Sequence, residues 1–141
     1  MKTLTDAGVP TFAMMAPIIP GLNDVEIPKL LESVKEAGAF SAGYTVLRLS
    51  RSVKPVFLEW LHRELPDKAA KVESHIRSVR NGDMNNTEWG TRMRGEGLYA
   101  DQIEKTFQVF KMKFELDGEP PPMRTDLFRL PTVKGGQRTL F

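Results

Sequence analysis

Apolar positions crowd together from Thr11 to Ala16 (Thr11-Phe12-Ala13-Met14-Met15-Ala16), a run of strand length. After a break they recur at helical spacing: Ile27, Leu30, Leu31, Val34 and Ala37 share one face, with Lys29, Glu32, Lys35 and Glu36 elsewhere. Gly38 is a stop signal, and Ala42 to Leu49 read as a second strand. Strand, helix, strand in that order predicts a βαβ unit, hence a parallel pair with a right-handed crossover. Asn23 or Asp24 is expected to cap the helix, Glu26 to favour its dipole, and Pro28 to be tolerated in its first turn. The linking segment, Pro17 to Asp24, holds two prolines and a glycine at the carboxyl end of the first strand. In parallel α/β architectures ligands sit at that end.

Downstream the pattern becomes helical. Val53, Phe57, Trp60 and Leu61 share a face that stops before Pro66, and Pro66 opens a helix carrying Ala69, Val72, Ile76 and Val79, with Gly82 as its stop. Asn81 to Thr87 is a loop by composition. A longer helix begins near Tyr99 and carries Ile103, Phe107, Phe110 and Phe114, until Pro120-Pro121-Pro122 forces extended chain. The tail is aperiodic; Leu127, Phe128, Leu130, Leu140 and Phe141 are expected to anchor it across a surface. The fold class is therefore α/β. Residues 1–50 form the βαβ part, 51–118 a mostly helical extension and 119–141 an extended tail. The opening, Met1 to Gly8, reads as a helix end, with Leu4 and Ala7 at i and i+3 and Gly8 as the C′ residue. So short a helix has little on which to pack, which predicts that the chain is the carboxyl-terminal part of something larger.

Composition narrows the chemistry. The chain has 141 residues, 40% hydrophobic and 27% charged, as expected of a globular domain with a core. No apolar run approaches the roughly 20 residues that cross a bilayer, so no membrane role is expected and a cytoplasmic location is the default. A net charge of +2 does not demand a polyanionic partner. The absence of cysteine excludes disulfides, thiolate nucleophiles and thiolate-held metal within this chain.

Pro17-Ile18-Ile19-Pro20-Gly21-Leu22-Asn23-Asp24 resembles the fifth-strand motif of radical S-adenosylmethionine enzymes, G-x-I-x-G-x-x-E. Ile19 and Gly21 match; Pro17 replaces the first glycine and Asp24 the glutamate. Leu47-Arg48-Leu49, Phe57-Leu58-Glu59-Trp60-Leu61, Gly90-Thr91-Arg92-Met93-Arg94-Gly95-Glu96-Gly97 and Asp126-Leu127-Phe128-Arg129 extend the likeness across nearly the whole chain. They resemble the carboxyl-terminal part of the group related to spore photoproduct lyase and described as DNA repair photolyase-like. The resemblance implies the rear of a partial (β/α) TIM-type barrel, with S-adenosylmethionine and a 4Fe–4S cluster bound in the full-length protein. It implies that Pro17, Ile18, Ile19, Gly21, Asp24, Leu47 and Arg48 contribute to the cofactor pocket. Ile19 would pack on the adenine, and Gly21 would let the backbone turn closely around it. The missing partner is the amino-terminal half of the barrel with its cysteines, so this chain is not expected to hold either cofactor alone.

Arg48, at a strand end, suits a ligand carboxylate or an ion pair with Glu26 or Asp24. Arg92 and Arg94 suit a phosphate grip or a solvated loop. His62 and His75 lack metal-ligand spacing, Gly135-Gly136 reads as a turn, and Met14-Met15 read as barrel filling. The alternative function is a non-catalytic nucleic-acid or protein-binding module using the arginine-rich loop and tail. A stand-alone hydrolase lacks a visible nucleophile–base pair. An open strand edge is expected to promote self-association.

Overall fold

A computed structural model describes residues 1–85, 88–123 and 125–129. Leu130, Leu140, Phe141 and Gly135-Gly136 lie outside the described residues. The element order is α1 (Lys2–Asp6), β1 (Phe12–Ile18), a 3-10 turn (Asp24–Glu26), α2 (Ile27–Glu36), β2 (Ser41–Val46), α3 (Val53–Glu64), α4 (Pro66–Ser78) and α5 (Leu98–Lys113). This is a mixed α/β fold.

β1 and β2 pair in parallel, with Phe12 beside Ser41 and Met15 beside Tyr44; an irregularity then shifts the register so that Ile18 faces Val46. Glycine sets where α1 and α2 end. Gly8 and Gly38 adopt φ of +76° and +78°. The N–H of Ala39 reaches the Val34 carbonyl and that of Gly38 reaches Lys35, which closes the last turn of α2 in a Schellman arrangement. Val9 and Gly8 repeat this on Leu4 and Thr5.

Two apolar clusters share the structure. The first joins Ala13, Ile18, Ala42, Tyr44 and Val46 of the sheet to Ile27 and Leu31 of α2 and to Ile103 and Phe107 of α5. The second joins Leu47 and Leu49 to Leu61, Ala69, Val72, Ile76 and Met84, with Ile19, Leu22, Phe57 and Trp60 packed against it. Residues 51–118 thus form no core of their own. α5 closes the βαβ core, and the α3–α4 hairpin builds its core on residues just beyond the strands.

The second strand ends at Val46, three residues before the expected Leu49. Beyond Val46 the backbone is held by other partners: the Leu47 N–H donates to the Ile18 carbonyl at 2.8 Å, and the Val46 N–H donates to the Met93 carbonyl at 2.8 Å. Alternation along a parallel strand puts those donors on opposite edges, so Met93 lies on the edge of β2 away from β1. At the start of β2, Ser41 bridges Asp117, and its Oγ donates to the Leu116 carbonyl at 2.8 Å. Tail residues Leu127 and Phe128 are exposed rather than anchored, because no apolar surface meets them.

Among the described residues β1 has no strand on its other edge, and one sheet face is bare. Met14 is 56% exposed there beside Phe12, so it fills no core in this chain. Val46 and Leu49, two further residues that a truncated barrel would expose, are buried. Such a face and edge favour association. We expect dimers or larger species by light scattering; a monodisperse monomer with a sharp thermal transition would rule out an adhesive face.

Candidate functional site at the carboxyl ends of the strands

The segment from Pro17 to Asp24 leaves β1 and turns back into α2. Asn23 organises it. Its Oδ1 accepts the Ile19 N–H at 2.7 Å and its Nδ2 donates to the Pro17 carbonyl at 3.2 Å. Neither Asn23 nor Asp24 makes the expected side-chain cap, because a 3-10 turn precedes α2 and both side chains are engaged elsewhere. The N–H groups of Leu22 and Asn23 both reach the Ile19 carbonyl.

Gly21 has φ of +78°, a conformation that side chains disfavour. A Cβ on it would lie 2.6 Å from His75 Cδ2. The glycine is therefore required by the protein itself, where α4 approaches the loop. The His75 ring stacks on Tyr99, centroids 4.2 Å apart, and the Tyr99 hydroxyl donates to Asp24 Oδ2 at 2.5 Å. Burial, then Asp24, pushes the phenol pKa up to about 12, with the Gly21 N–H pulling the other way. Asp24 Oδ1 is buried without a partner. A cavity of about 140 Å³ lies here between the starts of α2 and α5, lined by Asp24, Pro28, Tyr99 and Gln102. A hollow of about 180 Å³ lies on Ala16, Pro17, Ile18 and Asn23.

The site residues expected from sequence are partly brought together. Ile18 and Leu47 are bonded across the strand ends and both are buried. Ile19 is half-buried against the second cluster, and Pro17 is exposed. Arg48 is exposed at the rim with Nη1 4.0 Å from Met93 Sδ. It makes no ion pair with Glu26 or Asp24, since Asp24 is taken by Tyr99. Arg92 and Arg94 do not converge. Arg92 lies 4.1 Å over the Trp89 ring, which is 85% exposed, whereas Arg94 lies 4.4 Å over the Tyr44 ring of the core. Each guanidinium rests on its own aromatic face.

Sequence reasoning missed Arg80, the largest fully buried side chain among the described residues, at 1% exposure. Its Nη2 donates to the carbonyls of Val46 (3.2 Å) and Leu47 (2.7 Å), and its Nη1 to those of Thr91 (3.2 Å) and Arg92 (2.9 Å). The planar fork thus ties the end of β2 to the loop bearing Arg92 and Arg94. Burial, then the nearby Arg48 charge, lowers its pKa. No local pattern marks this residue, because its acceptors are main-chain carbonyls supplied by remote segments. His75 and Tyr99 were missed for a similar reason.

No family model, curated protein or solved structure matches the chain.

Proposed function

We propose that this chain is the carboxyl-terminal segment of a radical S-adenosylmethionine enzyme, supplying part of the cofactor pocket and of the substrate side. The observation that carries the reading is the junction of its two motif segments. The Pro17–Asp24 loop leaves β1 at the carboxyl end of a parallel pair, and Leu47 closes on Ile18 beside it. The occupied outer edge of β2 supports its place as the last strand of an open sheet, and the bare edge of β1 supports a place for earlier strands.

The residues present do not fit an iron–sulfur cluster. The chain has no cysteine, and imidazole or carboxylate is a poor substitute for thiolate ligation. They fit one side of a nucleoside-bearing cofactor: half-buried Ile19 offers apolar contact, and Arg48 is an exposed cation for a carboxylate. Hollows of about 140 and 180 Å³ are smaller than the about 300–1,000 Å³ of sites that enclose such ligands. The remaining wall must come from elsewhere.

Calorimetry on the 141-residue chain tests this. We expect negligible S-adenosylmethionine binding without iron, because the cluster anchors the amino acid end of the cofactor in the family resembled. Micromolar binding by the iron-free chain would mean that the pocket is assigned wrongly. The reading frame upstream of Met1 should encode a cysteine triplet.

A nucleic-acid or protein-binding module is the second reading. Its support is that Arg48, Arg92 and Arg94 have no carboxylate partner among the described residues and that Trp89 is exposed beside Arg92. Binding to an oligonucleotide that falls steeply with salt and ignores S-adenosylmethionine would favour it.

A further inference from the structure

The Gly21–Asp24 end of the loop is gripped from outside at two points. His75 of α4 lies against Gly21, and Tyr99 at the start of α5 bonds Asp24 and carries the His75 ring on its own. Two helices distant in sequence thus meet on this loop, at Gly21 and at Asp24. Between those two points the N–H groups of Leu22 and Asn23 both donate to the Ile19 carbonyl, so their protection reports whether this turn stays closed. A hydrogen bond to a charged acceptor contributes more than a neutral one, and the partly buried setting strengthens it.

We propose that Tyr99 and His75 are positioning residues for the Pro17–Asp24 loop, with Tyr99 fixing Asp24 and serving as the platform that holds His75 against Gly21. The consequence for a cofactor rests on the function proposed above; the positioning itself does not. Neither residue need touch a ligand. Their part is to make the loop's shape depend on the docking of α4 and α5. A loop with only local bonds opens on its own, whereas one clamped by two helices opens only when they separate.

Amide hydrogen exchange on the 141-residue chain tests the proposal. Tyr99→Phe keeps the ring that carries His75 and removes only the bond to Asp24. Exchange at Leu22 and Asn23 should quicken about tenfold or more, the range of a lost hydrogen bond to a charged group. Amides in the middles of β2 and α5 should keep their rates. Asp24→Asn, which keeps an acceptor for the hydroxyl, should recover most of the protection.

A second readout separates this bond from packing alone. Burial and Asp24 push the phenol pKa up from the ordinary 10 to about 12, so the stability this contributes is complete below pH 10 and lost as pH rises through about 12. In a Tyr44→Phe background, the remaining phenolate absorbance should titrate lower in Asp24→Asn than with Asp24 present. Unchanged exchange at Leu22 and Asn23 in Tyr99→Phe, or a phenol indifferent to Asp24, would overturn the positioning role. Faster exchange together with unaltered S-adenosylmethionine affinity in the cluster-bearing protein would uphold it and overturn the pocket assignment instead.

Discussion

Arg80→Leu should destabilise the protein by about 3–5 kcal/mol, the range for stripping a buried charged group from its partners. Four main-chain carbonyls, those of Val46, Leu47, Thr91 and Arg92, would lose their donor together. Val46 and Leu47 are buried, so their carbonyls have poor access to replacement water. Arg80→Lys should recover only part of the loss. An ammonium can direct three N–H groups, but it cannot span two carbonyl pairs as a planar fork does. Urea unfolding checks this through a lowered midpoint at unchanged slope. A local effect should accompany it: Trp89 fluorescence should report a loosened 88–95 segment at urea concentrations where the helical signal is still native. Arg80→Leu within about 1 kcal/mol of the parent would show that water replaces the guanidinium, and that the knot is not what holds the loop.

Gly21→Val should cost about 1–3 kcal/mol for forcing a β-branched residue to positive φ. The contact with His75 Cδ2 at 2.6 Å adds an overpacking cost of similar size. For a chain of this length the melting temperature should fall by several degrees, at about 3 °C per kcal/mol. Because the two costs have different origins, they can be separated. His75→Ala in the Gly21→Val background should restore the part due to overpacking and leave the part due to backbone strain. Gly21→Ala should behave as the valine variant with a smaller steric component. Strict additivity of Gly21→Val and His75→Ala would mean that the two residues do not touch in solution. On the function proposed above, Gly21→Val in a longer, cluster-bearing protein should also weaken S-adenosylmethionine binding while the cluster still assembles.

Where a signal lies within a few residues, the chain announces its structure. Gly8 and Gly38 stop α1 and α2 because only a residue without a Cβ takes φ near +77° cheaply and lets the last carbonyls be satisfied. Leu65-Pro66 separates α3 from α4 because proline cannot continue a helix but can start one. The strand–helix–strand order implies the parallel pair, and the helical face of Ile103 and Phe107 is buried as its spacing predicts. The limits of β2 were less legible. The apolar alternation continues to Leu49, but the chain turns away after Val46 because Leu47 and Leu49 are drawn into the second cluster under α3 and α4.

The site divides along the same line. The place of the Pro17–Asp24 turn could be read from the sequence, because two prolines and a glycine after an apolar strand restrict the backbone wherever they occur. What holds that loop could not. Asn23 looked like a helix cap and instead staples Ile19 to Pro17, since a polar side chain serves whichever backbone group the fold brings nearest. Arg92 and Arg94, two residues apart, rest on different rings, those of Trp89 and Tyr44, a pairing that no local pattern announces. By itself, then, the sequence determined the elements, the glycine and proline stops of the first three helices, the parallel order and the place of the Pro17–Asp24 turn, all consequences of backbone sterics and apolar spacing. Only the tertiary structure decided that Arg80 would knot the end of β2, and that His75 and Tyr99 would clamp Gly21 and Asp24. Hydrogen bonds and ring contacts between residues tens of positions apart have no period or local pattern; they exist only once burial has brought their partners together.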